Sequence, residues 1–232
     1  MIKRHLKRLA VPISWNIKKK GITFITRPKP GAHSYEEGLP ITIALKEMLK
    51  YAHTTHEVKK LLINKSILVD GVRRYDHRFI IGLMDVLSIP ELKTNYRILI
   101  NKKGKLILIK IDEKEAKLKP CKITGKRVVN NRIQLNLFDG RNILVDKNND
   151  YKIGDTVIIE IPSQKIIQHL KLERNALVFI TKGKKVGNLG KIENISQKEI
   201  TCKSESGEII ETKKRYIFVI GKEKPVIKLE LK

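Results

Sequence analysis

Cysteine is nearly absent: Cys121 and Cys202 stand 81 positions apart and no C-x-x-C occurs, so neither a disulfide framework nor a zinc ribbon is signalled. Both read as buried reduced thiols. Aromatic residues make up 5% of the chain, with a single tryptophan, Trp15. Acidic residues are scarce against basic ones. No apolar run reaches 18 residues, which leaves no candidate membrane-spanning helix. The opening stretch MIKRHLKRLAVPISW is basic but lacks the apolar region and small-residue cleavage site of a secretory signal, so an intracellular protein is expected. Catalytic signatures are missing too: there is no G-x-S-x-G, H-E-x-x-H or dinucleotide fingerprint. Asp70, Asp76 and Asp85 fall in strand and turn positions with no evident His or Lys partner. His53 and His56 have a metal-like spacing but no third ligand, and read as surface or capping histidines. The expectation is a protein that is not an enzyme and has no cofactor, no metal and no small-molecule substrate.

What the chain has is positive charge. Its 49 Lys+Arg against 24 Asp+Glu leave a formal charge of +25, which repels itself in a compact state unless a polyanion neutralises it. Nucleic acid is the partner this implies. A membrane surface is the competing polyanion, but the cations are spread along the chain instead of being confined to one amphipathic helix. With 41% hydrophobic residues in 232, the chain has material for one large domain or two to three small ones.

The stretch Leu39 to Pro90 reads as one unit. Ile41, Ala44, Leu45, Met48 and Leu49 recur at helical spacing, leaving Lys46 and Lys50 on the open side. Thr54 and Glu57 form a T-x-x-E capping box for a second helix through Val58, Leu61 and Leu62, with Lys59 and Lys60 outward. Ile67 to Val69, the Asp70-Gly71 turn and Val72 read as a hairpin, followed by Arg73 and Arg74, two arginines suited to phosphate. Ahead of it, residues 1 to 30 carry nine Lys or Arg and no acid, but enough apolar residues to order along a surface. Trp15 reads there as a hydrophobic anchor, with base stacking as the alternative.

Beyond Pro90 the texture turns to strands. Tyr96 to Ile100 and Leu106 to Ile111 flank a hairpin turn, Asp112 and Glu115 offer a second capping box, and Ile133, Leu135 and Leu137 alternate with polar residues before Asp139-Gly140. In the last third, Ala176 to Ile180 leads into the basic glycine loop TKGKKVGNLG, Thr181 to Gly190, and a return strand to Ile195. Its glycines 183, 187 and 190 permit positive-φ turns and a close approach of phosphate or base, or serve the turn alone. The spacing is not that of a nucleotide-hydrolysing P-loop.

Taken in order, HLKRLAVPISW (5–15), RPKPGAHSYEEGLP (27–40), LKYAHTTHEVKKLL (49–62), GLMDVLSI (82–89), EKEAKLKPCK (113–122), the glycine loop and YIFVIGKEKP (216–225) resemble the archaeal and eukaryotic type of small ribosomal subunit protein four, the "e" family. The resemblance spans essentially the whole chain. It implies that Leu39 to Pro90 is the small RNA-binding module found also in the bacterial subunit protein of the same number, in some pseudouridine synthases and in tyrosyl-tRNA synthetases. It implies a KOW motif in an SH3-like barrel around Leu177 to Ile195, with Gly187 at its defining glycine. The chain stops soon after Pro225, without the longer basic extension of eukaryotic members, which points to an archaeal source.

The expected fold is therefore α+β: a basic N-terminal extension (1–38), a helix-pair and short-strand RNA-binding module (39–91), a central all-β domain (92–172) and a C-terminal SH3-like barrel (173–232). The expected function is that of a structural constituent of the small ribosomal subunit in the cytoplasm, partnered by small-subunit ribosomal RNA and neighbouring ribosomal proteins, with no membrane. A KOW-type transcription factor and an RNA-modifying enzyme carrying the same module are the alternatives. The expected RNA contacts are Arg4, Lys7, Arg8 and Lys18 in the extension; Lys46, Lys50, Lys59, Lys60, Arg73, Arg74 and Arg78 in the module; and Lys182, Lys184, Lys185 and Gly187 in the loop.

Overall fold

The computed structural model describes residues 5–146, 150–204 and 207–229. The chain divides into two compact units, Met1–Ile100 with Lys105–Lys117, and Asn101–Gly104 with Leu118–Lys232.

In the first unit, Trp15 anchors the N-terminal segment. It is buried, its indole Nε1 donates to the Gly38 carbonyl at 2.9 Å, and its ring lies 5.6 Å from that of Tyr35. The anchor reading of this residue is therefore the one that holds. Strand β1 (Gly38–Pro40) leads into α1 (Ile41–Ile43), which continues as a π-helical turn over Ala44–Met48. The Leu49 N–H reaches back five residues to the Ala44 carbonyl at 2.9 Å, so the apolar stripe runs through a widened turn. Ile41, Ile43, Ala44 and Leu45 are buried on it. Helix α2 (Thr55–Asn64) starts as its capping box requires: the Glu57 N–H donates to Thr54 Oγ1 at 3.2 Å and Glu57 Oε2 accepts from the His53 N–H at 2.8 Å. Val58 and Leu62 point inward while Lys59 and Lys60 face out.

Strands β2 (Leu68–Val69) and β3 (Val72–Arg73) are joined by Asp70 and Gly71, both at positive φ, 49° and 73°. That pair of left-handed residues is the turn whose twist matches a two-residue hairpin. Strand β4 (Ile80–Gly82) pairs antiparallel with β1, and β5 (Val86–Ile89) opens the run into β6 (Thr94–Ile100) and β7 (Leu106–Ile111). The five-stranded sheet has the order β3-β2-β5-β6-β7. The expected boundary at residues 91 and 92 thus falls inside a sheet, because Val86 to Ile89 pair directly with Thr94 to Arg97. Helix α3 (Glu113–Ala116) closes the unit. Asp112 gives it no side-chain cap; Glu115 instead takes the guanidinium of Arg97 at 2.8 Å, which a buried arginine needs more than the helix needs a cap.

The second unit carries β8 (Leu118–Val129), β9 (Arg132–Leu137), β10 (Asn142–Val145), β11 (Thr156–Glu160) and β12 (Ile166–Leu170) in a sheet of order β10-β9-β8-β11-β12. After it come β13 (Leu177–Ile180), β14 (Leu189–Ile195), β15 (Glu199–Ser204), β16 (Ile209–Lys213) and β17 (Ile217–Gly221), ordered β16-β15-β14-β13-β17. All pairings are antiparallel. Strand β11 explains how the two sheets become one body. Its Val157 and Ile159 join the core of Cys121, Ile123, Leu135 and Leu137, while Ile158 between them joins Val178, Ile192, Ile200 and Val219. Alternate side chains of a strand leave on opposite faces, so a strand that reads T-V-I-I is buried on both. The expected division at residues 172 and 173 is bridged by this shared core.

Candidate nucleic-acid interface

Among the residues expected to meet RNA, Lys50, Lys59 and Lys60 of the helical pair are exposed, and Lys46 is half-buried. Lys50 sits at φ 58°, just past the end of the π turn, and projects from that corner. Arg73 returns beneath α2: its Nη2 donates to the Ile63 carbonyl at 2.9 Å, one of the acceptors that a helix end leaves over. Its guanidinium lies 4.8 Å from the centre of the Tyr75 ring, and that of Arg74 lies 4.2 Å from Phe79. Arg78 donates through Nε to the Arg27 carbonyl at 3.0 Å, tying the extension to the stretch between β3 and β4. These arginines are half-buried, with part of each guanidinium committed to the fold.

His77, absent from the expected set, lies at the centre of this cation group. Its pKa is held below the ordinary imidazole value by burial and then by the charge of Lys59, with Arg78 and Lys29 adding to it and Asp76 opposing. Burial is the larger cause, and the three cations add to it against the pull of Asp76. Lys29 is also absent from the expected set: it is far from the module in sequence, and only the fold brings it to Asp76.

In the extension, Lys7 and Lys18 are exposed, whereas Arg4 lies outside the described residues. Arg8 is different from what its neighbours suggest. It is buried, bonded to Glu47 Oε1 at 2.7 Å and to the carbonyls of Lys18 and Ile22 at 2.9 and 3.2 Å. A guanidinium with its donors so engaged is a clamp between the extension and the first helical stretch, and it leaves the set of surface cations.

In the second unit, the glycine loop presents Lys184 and Lys185 to solvent and Lys182 half-buried. Gly187 is buried at φ 78°, and a Cβ there would stand 2.5 Å from the Asn101 carbonyl. Its lack of a side chain serves this close approach of two backbones. Lys122, which nothing in the sequence marked, is turned inward instead of toward a ligand: its ammonium donates to the carbonyls of Lys214, Arg215 and Ile217 at 3.1, 3.1 and 2.6 Å. Burial, with the charge of Lys214 adding to it, brings its pKa down to about 8. Among the described residues no group of His, Cys, Asp and Glu could hold a metal ion, and no helix is long and apolar enough to cross a membrane.

Residues 92–166 match the family model "Ribosomal family S4e", and residues 2–36 match the RS4NT (NUC023) domain. The Methanocaldococcus jannaschii protein named small ribosomal subunit protein eS4 is 42% identical over 240 residues, covering 98% of this chain and 98% of its own. The chain belongs to the ribosomal S4e family. The eS4 proteins of Korarchaeum cryptofilum, 42% identical with 97% of each chain covered, and of Methanococcus maripaludis strain C6, 40% identical with 98% covered, agree. The crystal structure of the 30S ribosomal protein S4e from Thermoplasma acidophilum superposes with a TM-score of 0.69 at 30% identity, covering 80% of this chain and 95% of that one. The chain is of mixed class, with its few α-helices in the first unit and antiparallel strands in both.

Proposed function

We propose that this protein is a structural constituent of the small ribosomal subunit in the cytoplasm, holding ribosomal RNA through basic surfaces on both units and meeting neighbouring ribosomal proteins. The observation that carries the reading is the near-full-length identity of 42% to an eS4 protein, joined to a formal charge of +25 that favours a polyanionic partner. It has no role as an enzyme. The helix pair with its hairpin is the RNA-binding module of 39–91, and its contacts are Lys46, Lys50, Lys59, Lys60, Arg73, Arg74 and Arg78. Lys7 and Lys18 extend that surface, and Lys182, Lys184 and Lys185 form a second one. The strand, basic loop and strand from Leu177 to Ile195, with Gly187 at a positive φ where only glycine fits, support the reading of a KOW motif in an SH3-like barrel. Phosphate contacts supply affinity, and RNA shape supplies specificity.

Co-sedimentation tests the reading. The protein is expected in stoichiometric amount in small subunits washed at high salt, and affinity for purified small-subunit RNA is expected to fall roughly 10³-fold or more between 50 and 200 mM salt. Co-purification with RNA polymerase in place of the subunit, or a flat salt response, would overturn it.

A further inference from the structure

Beside the glycine loop, the second unit has a cavity of about 340 Å³. That volume lies at the lower end of the range for small-ligand sites. One wall is Tyr216, whose backbone is held by the Thr181 N–H and Oγ1, both donating to its carbonyl at 2.8 and 2.9 Å. The guanidinium of the neighbouring Arg215 lies 4.9 Å from the centre of its ring and donates to its hydroxyl at 2.9 Å. Gly183, at φ 104°, brings loop backbone so close that a Cβ there would touch the ring edge at 4.0 Å. The loop thus forms a rim around an aromatic wall.

The lining chemistry is of two kinds. Lys182, Lys184, Lys185 and Lys213 supply positive charge, and Lys185 holds an exposed ion pair with Glu208 that can be exchanged for another anion at little cost. Glu199 and Glu211 supply carboxylates. A site for phosphate alone would use the lysines and be opposed by the carboxylates. A nucleotide uses all three groups: a base face against the tyrosine, base-edge N–H donors toward the carboxylates, and the phosphate on the lysines. We propose that this cavity receives one unpaired nucleotide of RNA, stacked on Tyr216. The proposal rests on the RNA-binding function above and gives the second unit a way to read single-stranded segments, since duplex RNA keeps its base faces stacked within the helix.

The test uses the full chain and a 10-nucleotide single-stranded RNA carrying one 2-aminopurine, with a blunt hairpin of the same sequence as competitor. Binding is expected to quench the 2-aminopurine emission, and the hairpin is expected to compete poorly. Tyr216→Phe should retain the affinity and the quenching, and Tyr216→Leu should lose ~10-fold or more in affinity along with the quenching. Because the fold uses the Tyr216 carbonyl, both variants should keep the wild-type unfolding midpoint to within a few degrees. Equal binding by Tyr216→Leu, or equal competition by the hairpin, overturns the site. Displacement of the RNA by a polyglutamate peptide with full recovery of emission, and no effect of Tyr216→Leu on that peptide's binding, also overturns it in favour of a protein-docking surface. Wild-type protein that fails to bind ribosomal RNA in a salt-dependent way defeats the broader function; retained ribosomal RNA binding with no response at Tyr216 defeats the nucleotide site alone.

Discussion

The ammonium of Lys122 on β8 reaches the Ile217 carbonyl at the start of β17, 2.6 Å away, and ties the two sheets of the second unit together at the cost of a buried charge. Burial sets its pKa at about 8, against 10.5 for a solvated lysine. Between those values the unfolded chain binds more protons than the folded one, so stability rises with pH across the window. Below about pH 8 the folded state carries the full desolvation cost, about 3 kcal/mol, and above about pH 10.5 that cost is relieved. Denaturant unfolding at several pH values should therefore show wild type gaining on Lys122→Met by about that amount from pH 8 to 10.5. A difference that does not change with pH would show that the three carbonyls compensate the charge completely.

In the first unit His33 and Asp85 form a buried pair. Nε2 of the histidine lies 2.9 Å from both carboxylate oxygens, and Asp85 Oδ2 also accepts from the Gly82 N–H at 2.9 Å. The imidazole occupies the space over Gly82, where a Cβ would collide with the ring. Replacing His33 by alanine leaves a buried carboxylate short of a partner, and should cost about 3 kcal/mol. The His33→Ala, Asp85→Ala double variant should lose less than the two single changes summed, and thermal unfolding of the four proteins closes that cycle. Full additivity would mean that the two residues act independently.

Local signals in the sequence were readable because each concerns neighbours in the chain. The Thr54 and Glu57 cap, the Asp70-Gly71 turn and the alternation of Ile133, Leu135 and Leu137 all depend on residues within a few positions of one another. Long-range pairs were not readable. Asp85 looked unpartnered although His33 sits 52 residues upstream, and Arg8 looked like one more cation of a basic tail although Glu47 lies 39 residues on. The π turn at Ala44 to Met48 escaped as well, since the apolar spacing there is that of an ordinary α-helix; at the end of the turn, Met48 and Leu49 are only half-buried. The candidate interface was legible as composition; which cations are exposed depends on the packing around each.

Gly187 separates two roles that the loop combines. Alanine there faces both a left-handed φ of 78° and the Asn101 backbone, so the loss of stability should be about 2 kcal/mol or more. The side-chain cations of the loop are untouched by this change. Guanidinium unfolding should register the loss, while the salt slope of RNA binding, measured where the variant is fully folded, should match wild type. A changed slope with unchanged stability would instead make Gly187 a point where backbone meets RNA.

Arg8 and the lysine pair on α2 should behave as opposites. Lys59 and Lys60 are exposed, and removing one lysine that neutralises a phosphate lowers the salt slope of RNA binding by about one. Lys59→Gln with Lys60→Gln should therefore lower the slope by about two and leave unfolding nearly unchanged, because solvated positions rarely contribute to stability. Arg8→Ala removes the donors that satisfy Glu47 and two carbonyls, and should cost about 2 kcal/mol of stability. Its salt slope should stay at the wild-type value, since a guanidinium buried against its own chain releases no counterion from RNA. A reduced slope for Arg8→Ala in the folded protein would mean that the clamp opens on the ribosomal RNA and that the extension rearranges when it binds.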